Sequence, residues 1–467
     1  MVTNLLGFGE LSALLNARHI SFSTNSQNSG FSSVAIDSRV VKEGALFFAL
    51  EGAICDGHSF VKSAFDKGAS AAMVAENKLE NFDLENIAKK SGKDLIVVEN
   101  TLRGFQDSAR VYLKKFPNLV KIGITGSSGK TTTKEITAAI ISQEKNTVMN
   151  KGNLNSETGL PLSVFEVRDH HEVGVFELGM NRPNEIEELS FILKPNISLI
   201  TNIGSAHIEY FGSKIKIVNE KKSVYKYLKD DDTALIPEND EFKNELAKDI
   251  NAKVKYYGAS SFNELKKVNP LGLDGTELFW AGEKIIFALP GKHSLEDAFA
   301  AIAIAKEVGV SNNSIKQGLE SVKPLFGRLE IVRGRTTVIR DCYNANPEST
   351  AKAVEFCDSV EWNTRKIYVI ADMLELGDNS QAEHEKLGAF LAECGADKVF
   401  LFGKEIKAAV SYLQAKGKNF SYENEINTLS ASLNKYVKKD DLVLLKGSRG
   451  CALERLSEML TGEKNVL

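Results

Sequence analysis

The sequence predicts an α/β protein of three domains, with a small α/β domain first, a mostly parallel sheet at the centre and a Rossmann-like layer last. Three observations support this. At 467 residues the chain exceeds what one hydrophobic core usually serves. Apolar, strand-like runs alternate with helical segments along each third of it, the pattern of parallel sheets. Within the second third, Leu119–Gln143 runs as buried strand, glycine turn and helix.

That stretch organises the rest. Val120, Ile122, Ile124 and Thr125 form a β-branched run, Gly126 and Gly129 allow backbone that other residues resist, and Lys130 to Gln143 has helix-forming composition. Such a turn aims backbone N–H groups and a helix N-terminus at one spot, beside the Lys130 ammonium and the Thr131 hydroxyl. The pattern is the short form GxxGKTT, because Ile124 stands where the longer phosphate-loop signature has glycine. Gly126, Ser127, Ser128, Gly129, Lys130, Thr131 and Thr132 are therefore expected to cradle a nucleoside triphosphate, ATP or GTP, in a P-loop-type ATPase domain.

Composition excludes several classes. A net charge of −4 leaves no broad basic surface for nucleic acid. No apolar run approaches the roughly 20 residues of a membrane span, and the N-terminal MVTNLLGFGELSALLNA lacks a basic segment followed by an apolar core. Cysteines 55, 342, 357, 394 and 451 are scattered and form no CxxC pair, which fits a reducing cytoplasm better than disulfides or zinc.

In chain order, residues 1–105 alternate short strands and helices, and Asp37, Ser38 and Arg39 follow the Val34–Ile36 strand. That loop suits either a phosphate or an ordinary salt bridge. Leu102–Phe116 reads as a linking helix closed by Pro117. In the second domain, about 106–324, Val173–Leu178 is apolar until Glu177, and Ile197–Ile203 leads into a loop with His207. Ligands of such sheets sit beyond the carboxyl ends of the strands, so the cradle, Glu177 and His207 should share one edge. A triphosphate needs Mg²⁺, and Glu177 is the candidate carboxylate.

Asn153, Asn155 and Thr158 lie on a loop that could touch substrate or start a helix, with Ser156 or Thr158 as cap. Lys216–Leu228 is a lysine-rich helix, and His293 precedes an alanine-rich one whose alanines imply close packing. The third domain, about 325–467, follows Arg328 and carries Asp341 at the end of the Thr337–Arg340 strand. Both could contact ribose or phosphate, or pair on the surface. Lys446, Ser448 and Arg449 form a basic loop after the last strand, suited to a carboxylate or phosphate.

Ordered along the chain, DSR, GALFFALEG, DGHSF, GITGSSGKTTTKE, GNLNSETGLPLS, FELGMN, TNIGSAHIEYFGS, LPGKHSLEDAFAA, GRLE, DCYNANPES, ADMLELGDNS and LLKGSRG resemble the Mur ligase family. These are ATP-dependent amide-forming enzymes of bacterial cell-wall precursor synthesis. DCYNANPES with ADMLELGDNS resembles the member that adds D-alanyl-D-alanine to UDP-N-acetylmuramoyl-tripeptide, and the aspartate-tyrosine-alanine-histidine and DNPR motifs of the sibling adding the third residue are absent. Folate polyglutamate ligases share the cradle but lack this first domain.

The resemblance implies that Ser38 and Arg39 serve the UDP-sugar end, and that Asn153, Asn155 and Thr158 line the substrate passage. It makes Thr131, Glu177 and His207 metal ligands, joined by Lys221 if that lysine is carbamylated, with Lys222 beside it. Lys130, His293, Arg328 and Asp341 would serve ATP, while Asn344 and Asn346 shape the acceptor side. Ser294 and Asp297 depart from the family, which commonly has asparagine at both places, on the adenine side. The implied enzyme is a cytoplasmic monomer working through an acyl phosphate. A sibling amide ligase and a simple nucleotide switch are the alternatives, and a switch requires neither the first nor the third domain.

Overall fold

The computed structural model describes residues 4–23, 30–205 and 208–463. Four β-sheets of three or more strands follow one another along the chain. The first has Ser33–Ala35, Ala45–Phe48, Ala71–Ala75 and Asp94–Val98 in parallel order, with Arg18–Ile20 antiparallel at one edge. The antiparallel edge strand carries a weak signal, since only one of its three residues is even half-buried.

The central sheet has six parallel strands in the order Lys253–Tyr257, Thr233–Pro237, Ile197–Ile200, Val120–Thr125, Val173–Glu177 and Thr147–Met149. From the cradle strand, Val120–Thr125, the chain runs to one edge, returns beside it through Val173–Glu177, and crosses to the other side at Ile197–Ile200. The cradle therefore sits at the switch point, where crossover connections leave in opposite directions and open a crevice. Register brings Glu177 opposite Ile124 and Ile200 opposite Thr125, so the cradle and Glu177 share the expected edge.

A three-stranded antiparallel sheet, Leu265–Pro270, Thr276–Trp280 and Glu283–Phe287, precedes the alanine-rich helix. That helix, Lys292–Val308, buries Ala298, Ala300, Ala301, Ala303 and Ala305 against a core that also holds Ile136 and Ile140 of the cradle helix. Small side chains allow the two helices to approach closely.

The last sheet orders Glu330–Arg333, Thr337–Asp341, Leu442–Lys446, Lys366–Ala371, Lys398–Phe402 and Phe420–Glu423, parallel except for the first pair. The last strand inserts between earlier ones, which sets Lys446 in register with Asp341.

The linking helix spans Thr101–Leu113, with the Asn100 side chain accepting from Arg103 N–H as its cap. Its Phe105 ring lies 4.5 Å from Phe48 of the first sheet, and Tyr112 lies 5.2 Å from Phe165 of the central domain. Each such buried ring contributes roughly 1.5–3 kcal/mol, so this helix joins the first two domains rather than merely connecting them. The lysine-rich helix is shorter than predicted, Lys214–Lys222, and tightens into a 3₁₀ turn at Ser223–Tyr225. Among the described residues, no helix is long and apolar enough to cross a membrane.

Candidate active site

The two predicted glycines of the cradle are required by contact as well as by conformation. Gly126 has φ +154° and Gly129 φ +78°, and a Cβ on either would collide with Thr201 or Asp297 respectively. The loop after Ile197–Ile200 braces the turn from outside. Ser127 N–H donates to Asn202 O (3.0 Å), Ser128 N–H to Asn202 Oδ1 (3.1 Å), and Thr201 Oγ1 to Ser128 O (2.6 Å).

Glu177 is buried, at 2 % exposure, and its carboxylate accepts from Thr131 Oγ1 (2.8 Å) and Asn155 Nδ2 (2.6 Å). Its own backbone is clamped by Asn150, which accepts from Glu177 N–H (2.9 Å) and donates to Glu177 O (3.0 Å). A buried carboxylate held by a hydroxyl and an amide presents hard oxygen donors, the set that Mg²⁺ takes. Residues Thr131 and Glu177 thus fit such an ion. His207 lies outside the described residues.

Two lysines meet on one carbonyl. Lys130 Nζ and Lys221 Nζ each donate to Gly126 O at 2.9 Å. Burial pushes both ammonium groups down, Lys221 far down, with Lys130 as its next opposing charge. Of the adjacent pair, Lys221 is the buried one, at 1 % exposure, whereas Lys222 is half-buried. Burial thus disfavours the charged form of Lys221 beside the phosphate turn.

The third domain closes the cleft. Arg328 Nη2 donates to Thr131 Oγ1 (3.0 Å) and its guanidinium stacks over Tyr343, 4.1 Å from the ring centroid. Asp341 accepts from Lys446 Nζ (2.8 Å) and Leu329 N–H (3.2 Å), and Lys446 also donates to Asn344 O (3.0 Å). Asn346 caps the helix Pro347–Ser359 by accepting from Ser349 N–H (2.8 Å), turning that helix N-terminus toward the cleft. Burial pushes His293 down to about 4, so its imidazole is neutral at physiological pH.

These groups surround one cleft of about 360 Å³, lined by residues 127–132, Asn153, Asn155, Glu177, His293, Arg328, Asp341, Asn344, Asn346 and Lys446. Gly126 and Lys221 lie directly behind its cradle. Five predicted residues are placed elsewhere. Thr158 precedes the helix Gly159–Val164 without capping it, while Ser156 Oγ accepts from Gly159 N–H. Arg39 is exposed and pairs with Asp37 at 2.7 Å, and Ser38 is buried in the same turn. Ser448 and Arg449 stand just behind the cleft wall, Ser448 Oγ accepting from Leu374 N–H (2.9 Å) and Arg449 pairing with Glu454 (3.3 Å).

Asn150, Thr201, Asn202, Tyr343 and Glu375 escaped sequence reasoning. Asn150 follows the edge strand Thr147–Met149, and Thr201 and Asn202 follow Ile197–Ile200, so the rule that located Glu177 applies to them equally. Asp297, noted as a departure, lines the cleft and accepts from Thr133 Oγ1 (3.3 Å), and burial pushes its carboxyl well up.

A phosphate cradle at a switch point, faced by a third-domain wall of arginine, lysine and aspartate, defines a multidomain phosphate-binding enzyme. Comparison with known proteins narrows the class. The Mur ligase family, catalytic domain, matches residues 31–114, the Mur ligase middle domain 124–305, and the Mur ligase, glutamate ligase domain, 327–449. The UDP-N-acetylmuramoyl-tripeptide--D-alanyl-D-alanine ligase of Treponema pallidum is 39% identical over 463 residues, covering 98% of this chain and 100% of its own. That of Bacillus subtilis is 33% identical, covering 91% and 92%. A crystal structure of MurF from Acinetobacter baumannii superposes with TM-score 0.85 at 28% identity, covering 97% and 98% of the two chains. MurF ligase from Thermotoga maritima in complex with ADP gives 0.79 at 28%, covering 92% and 97%. The chain belongs to the Mur ligase family.

Proposed function

We propose that this protein is an ATP-dependent ligase that joins D-alanyl-D-alanine to UDP-N-acetylmuramoyl-tripeptide, giving UDP-MurNAc-pentapeptide, ADP and phosphate in peptidoglycan precursor synthesis. The supporting observation is the meeting of the DCYNANPES loop with the phosphate cradle in one cleft, in a chain aligned almost end to end with relatives named for this reaction. In this reading residues 1–105 take the UDP-sugar through Ser38 and Arg39, residues 106–324 bind ATP, and residues 325–467 close over ATP and admit the dipeptide.

A carboxylate resists attack by an amine, because the anion offers no leaving group. Phosphorylating the terminal carboxylate of the tripeptide makes an acyl phosphate, whose carbonyl carbon the dipeptide amine attacks as phosphate departs. Charge spreads over the γ-phosphoryl oxygens in the first step. Gly129 to Thr132, at the start of the cradle helix, offer N–H groups and Lys130 offers its ammonium there, while Arg328 reaches the same place from the third domain. Mg²⁺, when bound, neutralises phosphate charge, and Thr131, Glu177, His207 and a carbamylated Lys221 are its proposed ligands. Carbon dioxide adds to a neutral amine, the form that burial favours for Lys221. His293 and Asp341 would contact the nucleoside, and Asn153, Asn155, Thr158, Asn344 and Asn346 the peptide passage. The protein would act as a cytoplasmic monomer.

One experiment tests the reading. Phosphate release is followed with UDP-dipeptide or with UDP-tripeptide ending in lysine or diaminopimelate, each offered D-Ala-D-Ala or free amino acids. Turnover only with a tripeptide plus D-Ala-D-Ala is expected. Turnover of UDP-dipeptide with a free amino acid would make the chain the sibling ligase, and none with any acceptor would leave a nucleotide switch.

A further inference from the structure

Among the described residues three lysines are buried, Lys134, Lys221 and Lys446. Lys221 and Lys446 already belong to the site, one behind the cradle and the other on the cleft wall. Lys134, at 0 % exposure, has no task there. It lies one turn after Lys130 on the cradle helix, Lys130–Ile141, and so on the same face. An ammonium taken out of water is costly unless its hydrogen bonds are replaced. Here they are replaced: Lys134 Nζ donates to Asn150 O (2.7 Å), reaches Gly152 O at 3.5 Å and pairs with Glu135 Oε1 (3.0 Å). Two of these acceptors are main-chain carbonyls of one loop, 150–155, and an apolar side chain in the same space would leave them without this donor.

That loop is what holds Glu177. Pairing of the strand Val173–Glu177 with the edge strand stops at Val175 and Met149. Beyond it the Asn150 side chain stands in for a partner strand, accepting from Glu177 N–H and donating to Glu177 O, and it also donates to Leu154 O (2.8 Å). At the far end of the loop, Asn155 Nδ2 donates to the Glu177 carboxylate and Asn155 O accepts from Gly179 N–H (2.8 Å). The carboxylate in turn accepts from Thr131 Oγ1, on the helix that carries Lys134. The contacts thus close a circuit from the cradle helix through Lys134, the loop and Glu177 back to the cradle helix.

We propose that Lys134 is a positioning residue for the metal and the UDP-tripeptide: it fixes loop 150–155 to the cradle helix, so that Asn150 and Asn155 hold Glu177 against Thr131 and Asn153 faces the cleft. This rests on the ligase reading. Wholly buried, Lys134 touches no reactant and acts through the two asparagines. Metal binding at Thr131 and Glu177, and passage of the UDP-tripeptide past Asn153 and Asn155, then depend on it, while the dipeptide admitted by the third domain does not.

The test compares wild type with Lys134→Met, which fills the space without a donor, and Lys134→Gln, which keeps an amide donor on a shorter side chain. Thermal unfolding in ADP with increasing Mg²⁺ gives the half-protecting metal concentration without turnover, and phosphate release at saturating Mg²⁺ gives KM for each substrate. Expected in Lys134→Met is a rise of about tenfold or more in half-protecting Mg²⁺ and in KM for UDP-tripeptide, as for groups that orient metal ligands, with KM for D-Ala-D-Ala within about twofold. Lys134→Gln should show a smaller rise of the same kind. Asn150→Ala cuts the circuit at its next link, so adding either Lys134 variant to it should raise the half-protecting concentration no further. If Lys134→Met does not fold, Lys134→Gln and Asn150→Ala carry the comparison. A lower melting temperature with unchanged Mg²⁺ and UDP-tripeptide dependence, or full additivity with Asn150→Ala, overturns this assignment alone and leaves Lys134 a packing residue. Wild type that releases no phosphate with UDP-tripeptide and dipeptide overturns the ligase reading and this assignment together.

Discussion

Lys130 and Lys221 donate to the same oxygen, Gly126 O, each at 2.9 Å. One of the two lies in the motif and the other 91 residues further on, on the helix Lys214–Lys222. Two full positive charges on one carbonyl would repel strongly in a buried setting, and burial resolves the conflict by lowering both ammonium groups, Lys221 further.

With its charged form disfavoured by burial, Lys221 should take up carbon dioxide. Lys221→Arg keeps length and positive charge but cannot form the carbamate, and turnover should fall at least about a hundredfold. Enzyme incubated with ¹³C-bicarbonate should show one carbamate resonance that Lys221→Arg lacks. A spectrum without it, in an active enzyme, would rule out the modified lysine.

Lys130→Ala and Glu177→Ala should each reduce turnover at least about a hundredfold, as expected for groups aimed at developing phosphate charge. Glu177→Ala also leaves Thr131 Oγ1 and Asn155 Nδ2 without their acceptor, so loss of metal-dependent protection against unfolding should accompany the lower rate. Near-normal rates in either variant would remove these roles.

Asp297 gives a pH signature. Its carboxyl is pushed well up by burial, with Glu296 adding repulsion. Between the ordinary carboxylate value of about 4 and the raised one, the native state holds a proton that the unfolded state has lost, so stability falls as pH rises through that window. Asp297→Asn lacks this fall and can still accept from Thr133. Its melting temperature should match wild type at about pH 4 and exceed it increasingly toward pH 8. Parallel curves would show that Asp297 ionises freely in the fold.

Contacts of the third domain with the central one include Arg328 with Thr131 and Glu348 with Ser205, whose N–H and Oγ donate to Glu348 Oε1 at 3.0 and 2.7 Å. Glu348→Ala should enlarge the radius of gyration of the free protein in solution scattering and raise KM for ATP, while saturating ATP with UDP-tripeptide restores the compact value. The same radius with and without both ligands, in wild type and variant, would argue against closure by this domain.

Much of the cleft was legible along the chain because its parts follow local rules. The turn at Gly126–Gly129 needs glycines, and Glu177 ends an apolar run, so both are visible within a few residues of sequence. Asn202 and Thr201 carry no such mark, because their work is to brace Ser127 and Ser128 from more than 70 residues away. The same holds for Ser448, read as part of a basic loop and found supporting Leu374. Arg39, open to either reading in sequence, is paired with Asp37 in an exposed turn.

By itself the sequence determined the strands, the glycine turn, the order of the motifs and hence the family, since each depends on side-chain periodicity or backbone freedom over short spans. Only the tertiary structure decided which lysine of the adjacent pair is buried and which side chains from distant segments brace the cradle. Those facts depend on distances between segments far apart in the chain, where burial and charge act through space and leave no local pattern to read.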